Sequence, residues 1–177
     1  GSAGLFHDFV LRKLGAECVI AVEPIPERLT VGIGLGIDCG IEVTGTLATE
    51  AIMDATGGRG VDIVVDAVGS TDTLNQTLGI AKDGGLVSAF GLPDTSSRVP
   101  FDWDAFFRKR LTMYAVHGSQ DVPGLPDYRE ALDLISSGEI DVTPFVTHRF
   151  SIYDVQEEFN LADSKEDGAI KVSLTFQ

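Results

Sequence analysis

The chain's 177 residues suffice for one compact domain, or for one domain and part of another. Apolar residues make up 44% and charged residues 23%, with no run near the length of about eighteen that a membrane span needs, so no membrane partner is expected. The net charge of −14 excludes the basic face that nucleic acid requires, and an anionic ligand would need backbone N–H groups or placed cations.

The first predicted element is a helix, from Leu5, Phe9, Val10 and Leu14 at helical spacing, closed by Gly15. "CVIAVE" reads as a buried parallel strand ending in an acid, stopped by Pro24 and Pro26. "PERLTVGIGLG" resumes a helical pattern and "CGIEV" is a weaker strand. "TLATEAIMDATGG" is a helix ending at a glycine pair, and "VDIVVDAVG" is the strongest strand. A helix over "TDTLNQTLGIAKDGG" is expected to close at Gly84-Gly85, before the strand "LVSAFG". "WDAFFRKR" and "LTMYAVHG" follow as helix and strand. Strand–helix alternation of this kind makes a doubly wound parallel α/β sheet.

The alternation runs to about Ser119, where "QDVPGLPD" marks a boundary. Beyond it come the helix "YREALDLISSG", the extended "FVTHRFSI", the helix "DVQEEFNLADS" and the strand "AIKVSLTF". That tail is too small to be a domain by itself. The expected division is residues 1–119 as a dinucleotide-binding domain and 120–177 as a segment completing another.

Two cysteines, Cys18 and Cys39, are too few for a disulfide framework and are expected to be buried thiols. The start lacks the charged-then-apolar pattern of a secretion signal, so a reducing cytoplasmic setting is expected. His7, His117 and His148 stand too far apart in sequence for metal-ligand spacing, so no metal site is expected in this chain.

Dinucleotide-binding folds run from a first strand into G-x-G-x-x-G and then a helix, whose N-terminal N–H groups face the pyrophosphate. Gly1-Ser2-Ala3-Gly4 would supply the second and third glycines, and a helix follows. An acid is due about 20 residues further on, and Glu23 stands there. Its carboxylate would accept from ribose hydroxyls and repel a 2′-phosphate, favouring NAD over NADP. A Gly-Ser expression scar is the alternative origin of the first residues; helix, strand and acid in register favour the loop. "GIGLG" at Gly32–Gly36 follows a helix-like segment instead of a strand, so a helix ending is expected there.

The pieces "GSAGL…LGAECVIAVEPIPERL", "ATGGRGVDIVVDAVG", "AKDGGLVSAFGLP", "LISSGEIDVTPFVTHRFSI" and "GAIKVSLTF" carry a resemblance over nearly the whole chain. They resemble the C-terminal half of a medium-chain dehydrogenase/reductase, nearest the zinc-dependent alcohol, polyol and threonine dehydrogenases. The resemblance implies a Rossmann-like sheet that binds NAD, with Gly1, Ser2, Ala3, Gly4 and Leu5 as the phosphate loop and the start of its helix. It makes Glu23 the ribose acid and Arg28 a neighbouring basic residue, with a solvated helix-face charge as the other reading of Arg28. Val68 and Gly69 would line the cofactor cleft. Phe90, Gly91 and Leu92 would lie beside the nicotinamide, although Phe90 could equally be core. Ala115 and His117 would flank the carboxamide, with a structural role as the alternative for His117. Lys171 would reach the pyrophosphate. Asp66 is a better functional candidate than Asp62, and His148 reads as packed and hydrogen-bonded.

The family's catalytic domain, with its zinc ligands and proton relay, precedes the cofactor domain, and its first strand lies mid-sheet. Both are expected to be missing from this chain, which alone is expected to be inactive and to hold no catalytic residue and no metal. The whole enzyme would move hydride between a small alcohol and nicotinamide, as a dimer or tetramer paired along the edge "LTMYAVHG". Two rivals remain. A zinc-free NADPH quinone-reductase relative is disfavoured by Glu23; a non-catalytic nucleotide-binding module is the other.

Overall fold

Helical spacing, glycine stops and short β-branched runs place the elements near their predicted positions. In this computed structural model, residues 1–93, 98–116, 122–164 and 166–176 are described. The helices are α1 (Ser2–Lys13), α2 (Pro26–Ile33), α3 (Gly45–Ala55), α4 (Thr71–Ile80), α5 (Trp103–Arg108), α6 (Pro126–Ser136) and α7 (Val155–Ser164). The strands are β1 (Ile20–Val22), β2 (Cys39–Ile41), β3 (Val61–Asp66), β4 (Ala81–Ala89), β5 (Thr112–Ala115), β6 (Val146–Ser151) and β7 (Lys171–Thr175). No helix among the described residues is long and apolar enough to cross a membrane.

The backbone groups into two units, Gly1–Gly40 with Gly118–Gln177, and Ile41–His117. In the first, Leu5, Ala21, Leu29, Ile37 and Phe145 form a buried cluster. Full burial of a side chain such as Leu5 or Phe145 contributes roughly 2 kcal/mol. Phe6 stacks on Phe145 with centroids 4.2 Å apart, tying α1 to the turn before β6. Pro26 opens α2, where its missing N–H costs nothing, and the helix ends at Ile33 with Gly34 as its cap. "GIGLG" is therefore a helix ending, as expected. Arg12 holds the loop beyond: its Nη1 donates to the Ala16 carbonyl at 2.8 Å and its Nη2 to the Gly36 carbonyl at 3.0 Å, and it pairs with Asp38. The Val19 N–H, with Arg12, keeps the Asp38 carboxyl below the usual carboxylate range. β6 and β7 pair in parallel, Phe150 opposite Leu174.

The second unit is built on a parallel sheet of order β3-β4-β5. Ser70 caps α4, its Oγ accepting from the Thr73 N–H at 3.1 Å. Here the structure departs from expectation. α4 stops at Ile80, because Ala81 is extended (φ −64, ψ 140) and pairs with Val61 as the first residue of β4. Lys109 Nζ caps the exposed carbonyls, reaching Leu78 at 3.1 Å and Ala81 at 3.0 Å. Gly84 donates to the Lys109 carbonyl at 2.6 Å, within a stretch where the β3–β4 register shifts. The Gly84-Gly85 pair thus marks an irregularity inside a strand.

Both cysteines are free, but the expected burial fails: Cys18 is exposed and Cys39 is half-buried. β1 begins only at Ile20, which leaves Cys18 on the preceding loop.

Candidate functional site

In the first unit, α1 starts directly after Gly1, and the N–H of Leu5 donates to the Gly1 carbonyl at 3.2 Å. The first turn carries no acidic residue and no side-chain cap, so its leading N–H groups keep their capacity for an anion. Glu23 immediately follows β1 and is buried at 7% exposure. Its Oε2 pairs with the Gly1 amino nitrogen, and its Oε1 accepts from the Ile25 N–H at 3.3 Å.

Arg28 on α2 is 8% exposed, which removes the reading of a solvated surface charge. Its Nη1 lies 3.9 Å from Glu23 Oε1, and its Nη2 donates to the Ala169 carbonyl. Its Nε is sealed from solvent without a partner among the described residues. A Cβ on Gly1 would lie 3.8 Å from Arg28 Nη1, so the glycine borders the guanidinium. Lys171, exposed, opens β7 two positions after Ala169. The structure thus brings Gly1, Glu23 and Arg28 together and ties Arg28 to the segment leading into Lys171.

The sequence reading missed one member of α1. Asp8 is buried at 8% exposure, and burial raises its carboxyl to about 6, against the pull of the Gly1 amino charge. The signal was present: Asp8 follows Leu5 by three, so both lie on the core face of α1.

In the second unit, Asp66, Ala89 and Ala115 are register partners at the carboxyl ends of β3, β4 and β5. That is the end at which open α/β sheets bind ligands. Asp66 is 4% exposed and organises the turn: its Oδ1 accepts from the N–H of Val68 at 3.0 Å and of Gly69 at 3.1 Å. Its carbonyl accepts from Phe90 at 3.0 Å and Gly91 at 2.7 Å. Gly69 has φ +91, and a Cβ there would lie 2.6 Å from the Gly91 carbonyl carbon. A Cβ on Gly91 would lie 2.7 Å from Gly69 Cα, so the two turns touch backbone to backbone. Above them Val68 and Leu92 are exposed at 66% and 73%, an apolar rim over a glycine contact. Ala115 is exposed at the end of β5. His117 lies outside the described residues.

These residues have the chemistry a dinucleotide needs. A buried carboxyl group suits ribose hydroxyls and an uncapped helix start suits phosphate. Beside the glycine contact, Val68 and Leu92 leave apolar side chains exposed. Among the described residues, no group of three or more His, Cys, Asp or Glu could hold a metal ion.

A family model described as zinc-binding dehydrogenase matches residues 4–137. An alcohol dehydrogenase of Cupriavidus necator is 27% identical over 174 residues, which cover 98% of this chain and 47% of that protein. The alcohol dehydrogenase TADH from Thermus sp. ATN1 superposes with a TM-score of 0.84 at 30% identity, covering 100% of this chain and 49% of that one. A short chain alcohol dehydrogenase from E. coli CFT073, complexed with the cofactor NADH, shares the fold with a TM-score of 0.79 at 22% identity, covering 99% of this chain and 50% of that one. The chain thus spans about half the length of the relatives it matches. With its parallel sheets, its strand-end glycines and a family match over most of its length, the chain belongs to the zinc-binding dehydrogenase family.

Proposed function

We propose that this chain is the NAD-binding part of a zinc-dependent alcohol or polyol dehydrogenase. Residues 1–119 would hold the dinucleotide, and 120–177 would complete a catalytic domain supplied by a further segment that also carries the zinc. The carrying observation is Glu23, a buried carboxylate at the exit of β1 with Arg28 facing it.

Glu23 accepts from the adenosine ribose hydroxyls, with the Arg28 guanidinium beside it. The first-turn N–H groups of Ser2, Ala3 and Gly4 receive the pyrophosphate, with Lys171 adding a cation. Val68, Gly69, Phe90, Gly91, Leu92 and Ala115 border the nicotinamide end, with His117 a further candidate from the sequence alone. The nicotinamide, when bound, takes up or gives the hydride. This chain contributes orientation and electrostatics for the cofactor, and no acid–base group. Strand β5, exposed along its length at one edge of its sheet, is the proposed seam of a homo-oligomer.

The test is calorimetric titration of the full-length protein with NAD and with NADP. NAD is expected to bind at least tenfold more tightly, and Glu23→Gln to weaken NAD about tenfold, or about 1.4 kcal/mol. A preference for NADP, or an unchanged NAD affinity in Glu23→Gln, would overturn the reading.

A further inference from the structure

We propose that Arg28 is a positioning residue that sets where Lys171 stands, by clamping the chain that enters β7. The inference rests on the reading of Lys171 as the pyrophosphate cation. Arg28 and Ala169 are far apart in sequence, yet the guanidinium donates to the Ala169 carbonyl in a buried setting, Ala169 being 3% exposed. A charge-assisted bond shielded from water is among the stronger and more directional contacts a loop can have.

The same helix makes a second contact with this segment. Gly168 has φ +65, and a Cβ there would lie 2.5 Å from Glu27 Cβ, so the turn over Glu166–Gly168 lies directly on α2. Adjacent residues of α2, Glu27 and Arg28, thus fix adjacent residues of the entering chain, Gly168 and Ala169. β7 starts two residues later, with Lys171 opposite Val146 of β6. A slip of one residue would move Lys171 by about 3.3 Å and turn its side chain to the other face of the strand. The Ala169 clamp sets that register. Arg28 therefore joins the ribose acid to the pyrophosphate cation, with one end facing Glu23 and the other holding the approach to Lys171.

The experiment uses the full-length protein, with NAD, ADP and adenosine as separate probes and adenosine measured as a competitor of NAD. Arg28→Gln is expected to weaken NAD and ADP about tenfold while changing adenosine less than twofold. Arg28→Lys, which can still donate to the carbonyl, recovers most of the loss. In a Lys171→Ala background, Arg28→Gln has no further effect on ADP. Without ligand, Arg28→Gln speeds backbone hydrogen exchange over residues 166–172, and Gly168→Ala gives the same two signatures while leaving Arg28 intact. Equal losses for adenosine and ADP would reduce Arg28 to a ribose contact and overturn the inference, as would unchanged exchange at 166–172. Failure of the wild-type protein to bind any of the three probes would sink the underlying reading of the site, while the exchange measurement would still decide whether Arg28 holds the segment.

Discussion

The two strand-end regions are built by opposite means. At the exit of β1, Glu23 and Arg28 face each other, both under 10% exposed, and a sealed donor is left over. At the exits of β3 and β4, the functional surface is made of backbone: glycine against glycine, with Val68 and Leu92 above. Its one buried charge, Asp66, accepts from two turn N–H groups at Oδ1, and its backbone carbonyl accepts from two more. The first region offers directed hydrogen bonds to a polar ligand, which suits a ribose; the second offers exposed apolar side chains, which suit an aromatic ring. Charge chemistry matters at one and shape at the other, and substitutions can test that division.

The largest effect is expected from Gly91→Ala. The new methyl would lie 2.7 Å from Gly69 Cα, and only backbone movement could relieve the contact. Overpacking against a main chain that cannot repack is expected to cost about 4 kcal/mol, read as a lower midpoint in urea unfolding. A loss under about 1 kcal/mol would mean that the two turns are not in fixed contact.

Asp66 sharpens the comparison. Asp66→Ala strands two turn N–H groups, with an expected cost of about 3 kcal/mol. Asp66→Asn keeps an acceptor oxygen and should cost less than about 1 kcal/mol, with NAD affinity held within twofold. The matching change at Glu23 should harm NAD binding well beyond twofold. If Asp66→Asn weakened NAD as much as Glu23→Gln, Asp66 would be a ligand contact and the contrast between the regions would disappear.

Most of this organisation was legible in the chain. Each predicted strand has its counterpart, because β-branched runs bounded by glycine or proline leave few alternatives, and Glu23 is marked by its distance from Gly4. The end of α4 was misread because a glycine pair signals an interruption without saying of which element; the cap that closes α4 comes from Lys109, remote in sequence. The Arg28–Ala169 bond was likewise invisible, since no local pattern reports a contact across most of the chain. Cys18 looked buried because its run was apolar, yet the strand starts two residues after it.

Asp8 gives the subtlest test, because its effect depends on pH. Burial raises its carboxyl from 3.8 to about 6 in the folded chain, the Gly1 amino charge opposing the shift. Between those values the native state holds a proton that the unfolded chain has released. Stability is therefore fullest below the unfolded value, falls as pH rises through about 6, and stays low above it. With allowance for partial screening, the loss is roughly 2 kcal/mol. Asp8→Asn should remove this step, raising stability at pH 8 by about that amount and leaving it nearly unchanged at pH 4. The two proteins differ only at this carboxyl, so the difference between the two unfolding curves isolates Asp8. A parallel pair of curves from pH 4 to 8 would mean that the carboxylate is satisfied in place, and that the core face of α1 tolerates a charge.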